Sequence, residues 1–296
     1  MPIRYVVLDF DGTCTQVELV QAGFLDSYRG ILETANGRAP GALAPAWQVA
    51  LDEVRAASPG AGWTLFGVPS TAPAAADPYI LAFEAATLLV RTRVITQLPV
   101  DAHARAYAAN PAPWRPEAPK VLAQLASRGL KIGFISNSER TAISARLTDL
   151  LNADRKLRGK IVVHGEAAKF KLQELPVGAT GDAAPHRARF EQLDGAVRAD
   201  GLARPIYLRR GAYFEALCGL WKDLGAKGYA ISETLVCGDI WELDLAMPRA
   251  LGAAVHLIRR APPFDTYPYE LAQLASPKDA SKDLNGLVAH VDRLRG

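Results

Sequence analysis

The chain has 296 residues, 49% of them hydrophobic and 22% charged, with a formal net charge of +3. That length can bury a good core in one large or two smaller domains, and the composition is that of an ordinary soluble globular chain. So small a net charge gives no electrostatic footprint for nucleic acid or an anionic membrane surface, and three widely spaced cysteines (Cys14, Cys218, Cys237) without a CxxC argue against a disulfide framework and against a zinc site.

The first element is a short, mostly apolar and β-branched run at residues 3–8, which reads as a buried strand. It stops at Asp9-Phe10-Asp11-Gly12-Thr13. In extended chain, residues two apart point the same way, so Asp9 and Asp11 can face one point. Like charges that close need a cation between them or a proton on one of them. The start of the chain lacks the features of a signal peptide, and the apolar stretch at 79–94 carries Glu84, Arg91 and Arg93, unlike a membrane span. A cytoplasmic protein is expected.

Beyond Thr13 the pattern becomes helical, with Val17, Val20, Phe24 and Tyr28 on one face. Further helices are expected at 47–57 and 78–94, separated by Pro/Gly/Ala-rich stretches at 36–45, 68–77 and 99–119. Residues 15–115 therefore read as an all-helical lobe inserted early into an α/β unit. From residue 117 strand and helix alternate. Strands are expected at 130–135, 160–164, 205–208, 234–237 and 253–258, with amphipathic helices at 138–151 and 211–224 and a last helix at 284–294. Ser138 reads as the N-cap of the first of these helices. Residues 165–204 read as an insertion of irregular composition.

Strands joined by helices imply a parallel sheet, whose site lies outside the strands' carboxyl ends. Three such ends carry polar groups: Asp9/Asp11, Ser136-Asn137, and Gly238-Asp239 with Asp244 five residues on. In this order the motifs resemble those of the haloacid dehalogenase (HAD) superfamily. The resemblance implies a Rossmann-like, doubly wound, mainly parallel α/β core at 1–14 and 116–296, an inserted α-helical cap at 15–115, and an insertion in the core at about 152–204.

It also implies roles. Asp9 would be the nucleophile that forms an aspartyl-phosphate. Asp11 would protonate the leaving oxygen and later take a proton from water. Mg²⁺ would be held by the Asp9 carboxylate, the Asp11 backbone carbonyl and Asp239, with Asp244 supporting that shell. The Ser136 hydroxyl and the Asn137 N–H would bind phosphate oxygens, aided by the following helix N-terminus. Plainer readings remain: Ser136-Asn137 as a helix cap and Asp239 as a turn residue. The family also expects a lysine just before the helix that precedes the Gly-Asp strand. Here that position reads Leu208-Arg209-Arg210-Gly211. Arg210 is the first candidate for the role, Lys169 the second and Lys171 a distant third.

The implied activity is Mg²⁺-dependent hydrolysis of a small phosphorylated metabolite, with neither nucleic acid nor membrane as partner. One alternative is a weak or inactive HAD-fold protein that binds a phosphorylated ligand or a protein partner. A haloacid dehalogenase is less favoured, because carbon–halogen cleavage by a carboxylate needs neither a second Asp nor a metal. Phosphonate cleavage uses a Schiff-base lysine in the cap, and residues 15–115 contain no lysine. Trp47, Trp63, Phe66, Tyr79 and Phe83 are candidates to line the cleft, although helical aromatics more often serve a core.

Overall fold

The computed structural model describes residues 2–65, 67–175 and 181–296. Its strands are β1 (Tyr5–Leu8), β2 (Gly62–Leu65), β3 (Val68–Pro73), β4 (Lys131–Ile135), β5 (Val162–His164), β6 (Ala196–Val197), β7 (Ile206–Tyr207), β8 (Thr234–Gly238), β9 (Ala254–Ile258) and β10 (Ala280–Ser281). Six of them form one parallel sheet in the order β10-β9-β8-β1-β4-β5. The fold is thus the expected α/β, Rossmann-like one. Every residue of β1 is buried, as in a sheet covered on both faces. Tyr5 and Val7 face the core made by Tyr213, Phe214, Leu217 and Trp221 of the Gly211–Asp223 helix. Val6 and Leu8 face the other side, packed with Val121, Leu122, Leu125, Leu287 and Val291.

The order matters for the site. β8, β1 and β4 are neighbours, and Leu8 is in register with both Cys237 and Phe134. The three polar strand ends found in the sequence therefore finish side by side.

Residues 15–115 differ from the all-helical expectation. They contain α1 (Gln21–Ala35), α2 (Ala44–Ala57), α3 (Pro78–Arg91) and α4 (Ala102–Ala109), with Phe24, Tyr28, Leu51 and Leu81 in a core of their own. Between α2 and α3, however, runs the antiparallel hairpin β2–β3. Its strand Val68–Pro73 lies in the stretch expected to be a loop. Pro69 and Pro73 read as breakers, but an edge strand of a two-stranded ribbon tolerates proline. Contacts outside the hairpin also fix it: the Ser70 hydroxyl donates to the Phe170 carbonyl at 2.9 Å. Among the described residues no helix is long and apolar enough to cross a membrane.

Two other expectations change. The strand at 205–208 is β7, which pairs with β6 in a separate antiparallel ribbon rather than in the main sheet. The span 152–204 is not one insertion, since β5 pairs with β4 in the main sheet. The excursion proper leaves near Gln173 and returns at Arg210, where the two residues bridge and the Gly211 N–H donates to the Gln173 carbonyl at 2.6 Å. Part of the expected loop at 176–186, residues 176–180, lies outside the described residues, as does Phe66.

At the sheet's far edge, buried His256 of β9 places Nδ1 3.1 Å from His290 Nδ1 and Nε2 2.8 Å from Ser281 Oγ. Burial, with the neighbouring His290, pushes His256 from 6.5 down to about 3. The folded state thus keeps a neutral ring, while the unfolded chain takes up a proton below its ordinary value. That contribution to stability is complete above the unfolded pKa and is lost as pH falls towards the folded one. We expect the wild type to lose about 1.4 kcal/mol per pH unit from this group between pH 6 and 4. His256→Gln should show a correspondingly shallower decline in urea unfolding over that interval.

Candidate active site

Asp9 follows β1 directly, and its Oδ1 accepts a hydrogen bond from Lys169 Nζ at 2.5 Å. The same ammonium donates to Asp244 Oδ1 at 2.6 Å. The Thr13 hydroxyl lies 3.0 Å from both Asp9 Oδ2 and Asp239 Oδ1, joining the first motif to the last. Gly12 turns the chain at φ +78°, and a Cβ there would come within 2.3 Å of Asp239 Oδ2. Only glycine permits both the turn and the close approach. Buried Arg115 holds this turn from outside, donating to the carbonyls of Gly12 at 2.8 Å and Thr13 at 2.9 Å. Nothing local in the sequence marks Arg115, because its partners are backbone atoms a hundred residues away.

The geometry reverses the ranking of cations. Lys169, not Arg210, reaches Asp9. Arg210 is fully buried, but its Nη1 donates to the carbonyls of Leu243 at 2.5 Å and Lys169 at 3.3 Å, and its guanidinium lies 5.2 Å from the Tyr213 ring centre. It supports the lysine from behind. Lys171 is exposed. The expected lysine position was displaced because the excursion from Gln173 to Arg210 separates Lys169 from the helix it would otherwise precede.

The second motif grips the lysine's own backbone. Asn137 Oδ1 accepts the Lys169 N–H at 2.7 Å, the Ser136 carbonyl accepts the Ala167 N–H at 2.9 Å, and the Ser138 carbonyl accepts the Glu166 N–H at 2.9 Å. Glu166 and Ala168 take positive φ values of 54° and 43°, a conformation costly for non-glycine residues and held by these bonds. Ser136 is buried, and its Oγ accepts the Ser138 N–H at 3.1 Å. Ser138 is not the helix cap, since Glu139 precedes the helix Arg140–Leu150. Its hydroxyl instead donates to Asp11 Oδ2 at 2.5 Å.

Asp11 stands apart from the buried set. Tyr107 of α4 places its hydroxyl 2.9 and 3.1 Å from the two Asp11 oxygens. Desolvation raises the Asp11 pKa, against the opposing hydrogen bonds from Ser138 and Tyr107. Of the cap aromatics, Tyr79 lies beside Tyr107 with ring centres 5.3 Å apart, and Trp63 packs on Phe170 at 5.1 Å. Trp47 is buried in the cap core against Tyr28, and Phe83 is buried too.

Asp9, Asp239 and Asp244 bring ligand atoms within 4.8 Å of one another. Lys169 touches Asp9 and Asp244, whereas Asp239 Oδ2 is buried without a hydrogen-bond partner among the described residues. Burial pushes Asp9 up to about 7, despite the opposing pull of Lys169, and raises Asp239 well above the carboxylate range. Lys169 under-neutralises three carboxylates, since the nearby Arg260 is already paired with Glu270, and an orphaned oxygen points to a missing cation. An all-oxygen donor set suits a hard divalent ion such as Mg²⁺.

Asp239 and Asp244 sit on either side of the start of a π-helical turn, Trp241–Leu245. Buried Glu242 on that turn accepts two hydrogen bonds from Arg204, each 2.6 Å, and one from Tyr269 at 2.5 Å. Arg204 also donates to the Pro59 carbonyl at 3.0 Å, tying the excursion to the cap.

A sequence model of haloacid dehalogenase-like hydrolases matches residues 3–252. The chain belongs to that family of hydrolases. No curated protein matches it as a relative. Among solved structures, a candidate phosphoglycolate phosphatase from Lactobacillus delbrueckii subsp. bulgaricus is 12% identical, covering 98% of this chain and 99% of its own, with a TM-score of 0.51. At that identity the likeness concerns the fold. A predicted phosphoglycolate phosphatase from Haemophilus somnus is 13% identical, covering 97% of each chain, with a TM-score of 0.49. A HAD phosphatase from Thermococcus onnurineus is 15% identical, covering 99% of this chain and all of its own, with a TM-score of 0.48.

The Arg204–Glu242 pair should be measurable in stability. Arg204→Ala leaves Glu242 buried with Tyr269 as its remaining side-chain donor among the described residues, and we expect a loss of about 3 kcal/mol in urea unfolding. Arg204→Lys should recover only part of it, because lysine lacks the planar fork.

Proposed function

We propose that this hydrolase is a Mg²⁺-dependent phosphatase that cleaves a small phosphomonoester through an aspartyl-phosphate on Asp9. The observation that carries the reading is Asp11: a second carboxyl with a raised pKa, beside a carboxylate set fit for a cation. Carbon–halogen cleavage has use for neither, so the same observation disfavours dehalogenation.

In the proposed reaction Asp9 attacks phosphorus as the ester P–O bond breaks. Asp11 gives its proton to the leaving oxygen, then removes one from the water that attacks the aspartyl-phosphate, and Asp9 leaves as carboxylate. Lys169 shields Asp9 from the phosphate's charge. Ser136 and the Asn137 N–H are the proposed phosphate donors, whereas Arg210 has no part in contacting phosphate. The Asp9 carboxylate, the Asp11 carbonyl and Asp239 would hold Mg²⁺, which when bound neutralises charge so that anion can approach anion. Asp244 would orient Lys169 and the turn behind it. The proposed partner is a small phosphorylated metabolite.

The test is phosphate release from p-nitrophenyl phosphate and a panel of small phosphomonoesters, with Mg²⁺ and with EDTA. We expect turnover in Mg²⁺ and none in EDTA. Asp9→Asn should lose activity by at least roughly a thousandfold, and Lys169→Ala by about a hundredfold. Folded protein that releases phosphate from no ester would overturn the proposal in favour of a ligand-binding role.

A further inference from the structure

We propose that Tyr107, contributed by the inserted lobe, is a positioning residue for Asp11. The proposal rests on the phosphatase reading above and adds a cap residue to it.

Asp11 belongs to the core, Tyr107 to α4 in the cap, and Ser138 to the loop between β4 and the helix Arg140–Leu150. Their polar groups close a triangle: Ser138 Oγ to Asp11 Oδ2 at 2.5 Å, Tyr107 Oη to Asp11 Oδ1 at 2.9 Å, and Ser138 Oγ to Tyr107 Oη at 3.2 Å. Ser138 pins one oxygen. Tyr107, within reach of both, sets the rotation of the carboxyl group. Ser138 belongs to the core, so loss of the Tyr107 hydroxyl would leave Asp11 with the Ser138 hydroxyl as its donor.

The position of Tyr107 is itself fixed. Its ring stacks on His103 with planes 15° apart and abuts Tyr79. Ala102 and Ala106 bury α4 in the cap core. The next turn is held by Asn110, whose side-chain amide donates to Ser27 Oγ and to the Ala106 carbonyl, each at 2.9 Å. A rigid platform of this kind orients a neighbouring group at little entropic cost at the moment of reaction.

In the step affected, the Asp11 O–H bond breaks, its proton goes to the ester oxygen, and the electron pair of the breaking P–O bond stays on that oxygen. Tyr107 and Ser138 lose no proton. They donate hydrogen bonds to the Asp11 carboxylate that remains.

A poor leaving group needs the proton and a good one does not. The experiment therefore compares kcat/KM for glycerol phosphate and p-nitrophenyl phosphate in Mg²⁺. Tyr107→Phe keeps the ring and removes only the hydroxyl. We expect about a tenfold loss on the alkyl ester and less than about twofold on the aryl ester. Ser138→Ala, which removes the core hydroxyl and changes no residue of the cap, should show the same pattern. In an Asp11→Asn background, Tyr107→Phe should cost nothing further on the alkyl ester. Equal losses on both esters, or an undiminished loss in that background, would make Tyr107 merely structural and overturn the proposal. A wild type that hydrolyses neither ester would instead remove the phosphatase reading on which it rests.

Discussion

The Lys169 ammonium is wedged between the Asp9 and Asp244 carboxylates, at 2.5 and 2.6 Å, with all three groups buried. Charges taken out of water this completely persist only when paired and hydrogen-bonded. The surrounding architecture answers that demand. Asn137 and the Ser136 and Ser138 carbonyls hold the strained loop that presents the lysine. Arg210 donates to the Lys169 carbonyl from beneath, and Tyr213 donates to the Asp244 carbonyl at 2.8 Å. Without these supports the ammonium would have no fixed place between the first and last motifs.

Cap and core meet through the same elements. Ser70 of the hairpin bonds to Phe170, the residue after the lysine. Arg204 joins the cap at Pro59 to the π-helical turn that ends beside Asp244. Tyr107 reaches Asp11 itself. Each carboxylate-bearing segment is thus contacted, directly or at one remove, by a residue from the cap or the excursion. The inserted lobe, through Ser70 and Tyr107, thus contacts the segments that carry the site.

Much of this was legible in the chain. The short apolar strands, their polar carboxyl ends and the helical faces between them predict the sheet, because burial on two faces writes itself as local apolar runs. Asp9, Asp11, Ser136, Asn137, Asp239 and Asp244 all lie at strand ends or one turn beyond, where the local pattern points to them. The cation was misranked for a physical reason. Its place depends on a chain excursion that closes on itself at Gln173 and Arg210, and closure is a long-range contact with no local periodicity. Tyr107 and Arg115 were missed for the same cause. Their partners lie about a hundred positions away, and a lone tyrosine or arginine in a helical or proline-rich stretch looks like any other. The hairpin was hidden by prolines that an edge strand tolerates.

In the proposed reaction a carboxylate oxygen of Asp9 takes up phosphorus. The most direct measurement is to quench the enzyme in acid during turnover of p-nitrophenyl phosphate with Mg²⁺, reduce it with borohydride and map the modified peptide by mass spectrometry. An acyl phosphate on Asp9 is reduced to homoserine, so homoserine at position 9, absent without substrate, is the predicted result. Turnover with no reducible adduct, or with the adduct on another carboxylate, would contradict the account.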